Sequence, residues 1–409
     1  MTKPMGAIPA GFEAEDSMLL IGGRRADSLV AEAGDTPLFV YDLSRVTAQV
    51  ERFRAACPGV SLHYAIKANT YAPVLKHVGR LVDGLDVASA GEMAAALESG
   101  ADAREISFAG PGKRDDELAA AIAAGVTLNL ESEGEAERAL AIGRARGRAP
   151  RLAVRVNPDF EIKGSGMRMG GGAKPFGVDS ARVPALVRRL IEGGAEWRGF
   201  HIFAGSQALA ADALIEAQRA TVALAAELAS EIGATPPLVN LGGGFGIPYF
   251  ATETSLDVEA VGSALAETLA KRPPILAASG FAIELGRWLV GECGVYLTRI
   301  VDRKQSHGKT FLVTDGGMHH QLAASGNFGQ VVRRNYPVAI ANRFGAPNEE
   351  EASIVGCLCT PLDRLADDVM IPGTQVGDLV AVFLAGAYGR SASPEAFLGH
   401  PPAQEIVVG

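Results

Sequence analysis

Lys67 closes an apolar, β-favouring stretch, Ser61-Leu62-His63-Tyr64-Ala65-Ile66, and small residues follow it in Ala68-Asn69. A short apolar run of this kind reads as a buried strand. A lysine at its end stands where a barrel or sheet opens into a site. Burial there disfavours the ammonium form, so the amine can act as a nucleophile and form a Schiff base. A lysine just past a strand is more often a solvated loop residue, so the chemical reading needs support elsewhere. Gly242-Gly243-Gly244-Phe245-Gly246 follows another apolar strand. Glycines permit close backbone approach, and several N–H groups can then point at an anion such as phosphate. A dinucleotide fingerprint fails on spacing, because Ile247 stands where its last glycine belongs and Pro248 where its helix must continue. No Gly-Lys-Ser/Thr follows, so it is not a Walker loop either. Glu284-Leu285-Gly286-Arg287 places an acid near an arginine. A structural ion pair is the commoner use of such residues. The chemical use gives Arg287 a phosphate and gives Glu284 a proton on a heterocyclic nitrogen.

The elements that must position these residues alternate regularly. Strand-like runs fall at 62–66, 84–89, 106–109, 126–130, 152–156, 199–203, 238–241 and 281–284, with helical stretches between them. The pattern predicts parallel strands with helical crossovers, and eight such units close a (β/α)8 TIM barrel. Lys67, Asp86, Ser206, Gly244 and Glu284 all fall at or just after strand ends, the face on which such barrels carry their active sites. A polar, glycine-rich loop spans 157–178 and holds Lys163, Arg168 and Lys174. It reads as a solvated loop or as a lid that contacts substrate. From about Trp288 short β-like runs replace the alternation: 295–301, 310–314, 338–341, 354–358, 379–384 and 405–408. The expected organisation is a barrel over 45–287 and a second, mostly β domain over 1–44 plus 288–409.

With 409 residues the chain is too long for one ordinary core. A net charge of −9 without a basic block argues against nucleic acid or an anionic membrane as partner. No signal peptide and no membrane-spanning run are visible. Four cysteines, Cys57, Cys293, Cys357 and Cys359, suggest reduced thiols in the cytoplasm. Cys357-Leu358-Cys359 lacks a second ligand pair, and His319-His320 lacks a carboxylate cluster, so no metal is expected.

Seven motifs stand in order along the chain: Tyr64-Ala65-Ile66-Lys67-Ala68-Asn69, Asp86-Val87-Ala88-Ser89-Ala90-Gly91-Glu92, Ala204-Gly205-Ser206-Gln207, the triple glycine, Glu284-Leu285-Gly286-Arg287, Ile354-Val355-Gly356-Cys357-Leu358-Cys359 and Gly386-Ala387-Tyr388-Gly389. Together they resemble the fold-type III pyridoxal-phosphate decarboxylases, which include diaminopimelate and ornithine decarboxylases and share the alanine-racemase barrel. The resemblance covers nearly the whole chain. It implies pyridoxal 5'-phosphate as cofactor, held by Lys67, Asp86, Phe203, Ser206, Gly243, Gly244, Glu284, Gly286, Arg287 and Tyr388. It implies catalysis by Lys67 as the Schiff-base lysine, by Glu284 on the pyridine nitrogen, and by Cys359 as proton donor to the carbanion. Cys359 would reach the site of the other subunit, so a homodimer with shared active sites follows. The substrate would be an amino acid, free or carrier-attached. Alanine racemases place an arginine near the ring nitrogen, so Glu284 favours decarboxylation over racemisation. A racemase, and a non-catalytic cofactor-binding or regulatory relative, remain the alternatives.

Several positions depart from the pattern. Phe203 stands where relatives stack a histidine on the cofactor ring. His201, two residues earlier, either points the other way or lies on the same face one layer down. Leu285 replaces a proline, and Arg333 and Arg334 sit close to Tyr336 where an arginine normally directly precedes the tyrosine. Thr360 follows Cys359 where diaminopimelate and ornithine enzymes carry an acid; Asp363 is the nearby acid that could compensate. In these respects the pattern is more similar to a branch encoded with exosortase-linked exopolysaccharide systems.

Overall fold

The computed structural model describes residues 2–160, 167–168, 171–328, 330 and 333–409. Lys163 lies outside them. The chain divides into two compact units: Gln49–Gly246 with Ser255–Gly286, and Met1–Ala48 with Ile247–Thr254 and Arg287–Gly409.

In the first unit eight strands run in chain order: β1 (Ser61–Ala65), β2 (Gly84–Val87), β3 (Ile106–Phe108), β4 (Thr127–Leu130), β5 (Arg151–Asn157), β6 (Glu196–Ile202), β7 (Leu238–Asn240) and β8 (Gly280–Leu285). Each pairs in parallel with its neighbours, β8 returns to β1, and β4 pairs with β5, so the sheet closes. This is the expected barrel. Short serine caps turn strand into helix with few residues. Ser89 Oγ accepts from Glu92 N at 3.1 Å, and Ser132 Oγ accepts from Glu135 N at 3.1 Å. The helix Ala211–Ile232 ends at Gly233, whose φ of 78° an L side chain rarely adopts. Two short pairings are seen at the described residues of the 157–179 stretch. Met167–Arg168 pairs with Gly205–Ser206, and Val178–Asp179 adds to β5.

In the second unit the long strand Gly294–Ser306 is the spine. It pairs antiparallel with Leu38–Asp42, Leu379–Val382 and Lys309–Thr314. Leu38–Asp42 also pairs in parallel with Gln404–Val408. One strand, Arg364–Ile371, escapes the sequence reading. Asp367-Asp368 interrupts its apolar pattern, yet Asp367 is buried with Arg364 at 2.7 Å and Arg333 at 3.3 Å, which offset the cost of burying its charge.

Candidate active site

Lys67 lies in the single turn Ile66–Ala68 that directly follows β1. Tyr64 donates its hydroxyl to the Asn69 carbonyl at 2.9 Å, and Asn69 Oδ1 accepts from Tyr71 N at 2.9 Å, which fixes the turn. Ile66 and Ala68 are buried on either side, but Lys67 itself is exposed. The expectation of a buried lysine is therefore corrected: the apolar strand buries the backbone that carries the amine, and the side chain stands clear of it. Gly286 packs on this turn; a Cβ there would lie 3.0 Å from Ala68 Cβ and 3.2 Å from the Ala65 carbonyl oxygen.

Glu284 projects from β8 into the barrel. His201 Nε2 lies 3.0 Å from Glu284 Oε2, and Asn240 donates to the same oxygen at 3.3 Å. Burial works to raise the Glu284 carboxyl, but His201 above all, then Lys67 and Arg155, outweigh it and hold it below the usual carboxylate range. His201 therefore occupies the second of the two placements left open by the sequence, inward and one layer below Phe203, with ring centroids 6.5 Å apart. Phe203 and Ser206 are half-buried beyond the end of β6. Asp86 on β2 is buried; it accepts a hydrogen bond from Ser107 Oγ, and His63 Nδ1 lies 3.5 Å from its Oδ1. Burial disfavours the charged His63 ring, yet Asp86 and then Glu284 raise its pKa.

The glycine turn after β7 is locked by its neighbours. Gly242 N donates to Asn240 Oδ1 at 2.9 Å, and Glu284 N donates to the Gly242 carbonyl at 2.9 Å. Gly242 and Gly244 have φ of 71° and 87°. A Cβ on Gly243 would stand 1.7 Å from the Glu284 carbonyl oxygen, so only glycine lets the turn approach β8 this closely.

In the β unit Arg287 donates to the Tyr249 hydroxyl at 2.8 Å, and its guanidinium lies 4.7 Å from the Tyr388 ring centroid. Arg287 Nε is buried with no hydrogen-bond partner. Tyr388 adopts φ of 53°, a strained conformation for an aromatic residue. Cys359 is exposed in the loop after strand Glu350–Val355. Asp363 anchors that loop: its carboxylate accepts from Met318 N at 2.6 Å and Leu358 N at 2.8 Å. Cβ atoms on Gly317 or Gly356 would each fall 2.2 Å from this carboxylate. His319 is fully buried with both ring nitrogens unpartnered, 3.7 Å centroid to centroid from His320. Among the described residues no group of three or more His, Cys, Asp or Glu side chains could hold a metal.

These features fit pyridoxal phosphate. The barrel unit offers an exposed lysine, a nearly enclosed carboxylate and a glycine turn that a Cβ would fill, and the β unit offers a buried arginine nitrogen without a hydrogen-bond partner. The contacts of His201, Asn240, Tyr249 and Asp363 were not read from sequence. The period of two along β6 carried the only signal, and it allowed His201 two placements.

The family model for the pyridoxal-dependent decarboxylase pyridoxal-binding domain matches residues 43–291. The chain is 36% identical over 382 residues to the L-glutamyl-[BtrI acyl-carrier protein] decarboxylase of Niallia circulans, covering 91% of this chain and 89% of that protein. It is 32% identical to the diaminopimelate decarboxylase of Aquifex aeolicus, covering 97% and 92%. The solved diaminopimelate decarboxylase of M. jannaschi superposes with a TM-score of 0.89 at 25% identity, covering 97% and 92%.

Proposed function

The chain belongs to the pyridoxal-dependent decarboxylases, and from that premise we propose how its residues divide the reaction and which substrate they take. The reaction is the pyridoxal-phosphate-dependent decarboxylation of an amino acid or amino-acid derivative. The cofactor, when bound, supplies a conjugated ring that withdraws electrons from the substrate carbon losing CO₂. Lys67 is the residue whose amine would hold it covalently until the substrate amine takes that position. Glu284 accepts the ring nitrogen's proton in a hydrogen bond and keeps that nitrogen charged. For the phosphate we propose donors in each unit: the N–H groups around Gly243 and Gly244 with Ser206 in the barrel unit, and Arg287 and Tyr388 in the β unit; Gly286 gives the Lys67 turn room. Phe203 would cover one side of the cofactor and exclude water, and Asp86 would orient it from the second strand. Cys359, from the partner subunit of a homodimer, returns a proton to the substrate carbon. The observation that carries this division is the Glu284 carboxylate, 10% exposed inside the barrel and held charged above all by His201. It supports decarboxylation over racemisation.

For the substrate we propose an amino acid without a free distal ammonium, either acylated there or attached to a carrier. A distal ammonium in a closed site needs a charge partner. Thr360 offers only a hydroxyl. Asp363 is buried and committed to the N–H groups of Met318 and Leu358. The relative from Niallia circulans, named for a carrier-attached glutamyl substrate, supports the same reading. We also place the enzyme in the cytoplasm, in keeping with four free cysteines. Among the described residues no helix is long and apolar enough to cross a membrane.

Steady-state CO₂ release from diaminopimelate, ornithine, lysine and arginine tests the substrate class against glutamyl thioesters and N-acylated analogues. The expected outcome is turnover of the latter group. A kcat/KM above roughly 10⁴ M⁻¹s⁻¹ for any of the four free diamino or guanidino acids would overturn it.

A further inference from the structure

The inside of a (β/α)8 barrel is ordinarily filled by branched apolar side chains. This barrel carries charged and amide groups there instead. His201 and Asn240 face each other across β6 and β7, and His201 is also the cross-strand partner of Arg155 on β5. Glu284 on β8 is the cross-strand partner of His63 on β1. Asn129 donates to Ser107 Oγ at 3.0 Å, and Ser107 in turn donates to Asp86. The result is a polar layer of two carboxylates and two imidazoles. Gly84 makes room for one of them: a Cβ there would lie 2.8 Å from His63 Cε1.

The contacts to Glu284 are one-sided. Among the described residues His201 Nε2 stands 3.0 Å from Oε2, an ion-pair distance without hydrogen-bond alignment, and Asn240 donates to the same oxygen at 3.3 Å, which leaves Oε1 for a ligand. A carboxyl buried without such contacts takes up a proton. In that form it would donate to a ring nitrogen instead of accepting from it. His201 is 2% exposed on β6, whose last residue is Ile202, and Phe203 follows directly after the strand.

We propose that His201 is a positioning residue for decarboxylation: its Nε2 contact on Oε2 fixes the orientation and the charge of Glu284, so that Oε1 accepts the proton of the cofactor's ring nitrogen. His63, paired with Asp86, supports the same layer from β1. His201 acts on the ring nitrogen only through Glu284. This inference rests on the role of Glu284 given above. The charged or titratable groups that bear on Glu284 are His201 from β6, Lys67 and His63 from β1 and its following turn, and Arg155 from β5. Asn240, which touches Glu284, also lines a cavity of about 170 Å³ with Ser61, His63, Ser107 and Asn129. Water can therefore reach the layer, and loss of one polar group there need not empty the core.

The test uses the holoenzyme in three variants: His201→Phe, His201→Gln and Glu284→Gln. The readouts are the visible absorption of the bound cofactor from pH 5 to 9, cofactor affinity by dialysis, kcat and KM, and the melting temperature. In His201→Phe the absorption band should become pH-dependent where the wild type is flat. Its kcat should fall at least about tenfold, the loss of one close contact to a charged group, with KM nearly unchanged. His201→Gln retains an N–H donor and should recover part of kcat and a flatter band, and it serves if the Phe variant does not fold. Glu284→Gln, which carries no charge at any pH, should show throughout the range the band that His201→Phe shows at low pH. If Glu284→Gln changes the band while both His201 variants keep the wild-type band and kcat, the role of His201 is overturned and that of Glu284 stands. If Glu284→Gln itself leaves the band unchanged, both are overturned.

Discussion

Among the described residues Arg287 has no carboxylate partner; two tyrosines hold it. Burial works against its charge, and Tyr249 and Tyr388 outweigh that effect. An arginine fixed by aromatic rings keeps its donors available for an oxyanion, and the unpartnered Nε is one such donor. Arg287→Ala and Tyr388→Phe should each weaken pyridoxal-phosphate binding by about 1.5–3 kcal/mol, the worth of a hydrogen bond to a charged group. At saturating cofactor their kcat should change far less. Dialysis against graded cofactor concentrations measures this, and unchanged affinity in both variants would place the phosphate elsewhere.

At the scale of elements, the Thr314–Gln321 connection and the loop after Glu350–Val355 are built on groups whose ionisation burial opposes. Burial lowers the pKa of His319 from 6.5 to about 4, and it lowers His320 as well. The unfolded chain therefore binds these protons first. The stability contribution is full above about pH 6.5 and falls as pH drops towards 4, by at most roughly 1.4 kcal/mol per histidine for each pH unit crossed. Urea unfolding at pH 7 and pH 4.5 should show this loss, and His319→Asn should lessen it; an equal loss in the variant would contradict the assignment. The same unit shows where sequence reading succeeds and fails. Leu379–Val382 was legible as an unbroken apolar run, and in the barrel unit the eight strands were legible from short, mainly apolar stretches that alternate with helical ones. Arg364–Ile371 was not, because a buried aspartate disguises it until its arginine partners are seen. The strand-end position of Lys67 was legible, but its exposure was not, since exposure depends on what surrounds the turn. Glu284 was legible as a motif. Its partner His201 needed the register of β6 against β7.

At the scale of the whole molecule, the proposed homodimer makes each site a joint product of two chains. Lys67→Ala and Cys359→Ala disable different halves of such a site. Each variant alone should be strongly impaired, and mixing the two under conditions that exchange subunits should restore activity above either parent. Mixtures no more active than their components would confine the reaction to one chain.

The central claim is that the strand-end lysine is the cofactor's covalent anchor. Borohydride reduction of the purified holoenzyme, followed by peptide mapping, tests it most directly. The expected result is a single pyridoxyl group on the peptide containing Lys67, and no fixed cofactor in Lys67→Ala. Stable labelling of another lysine in the wild-type protein would contradict the account.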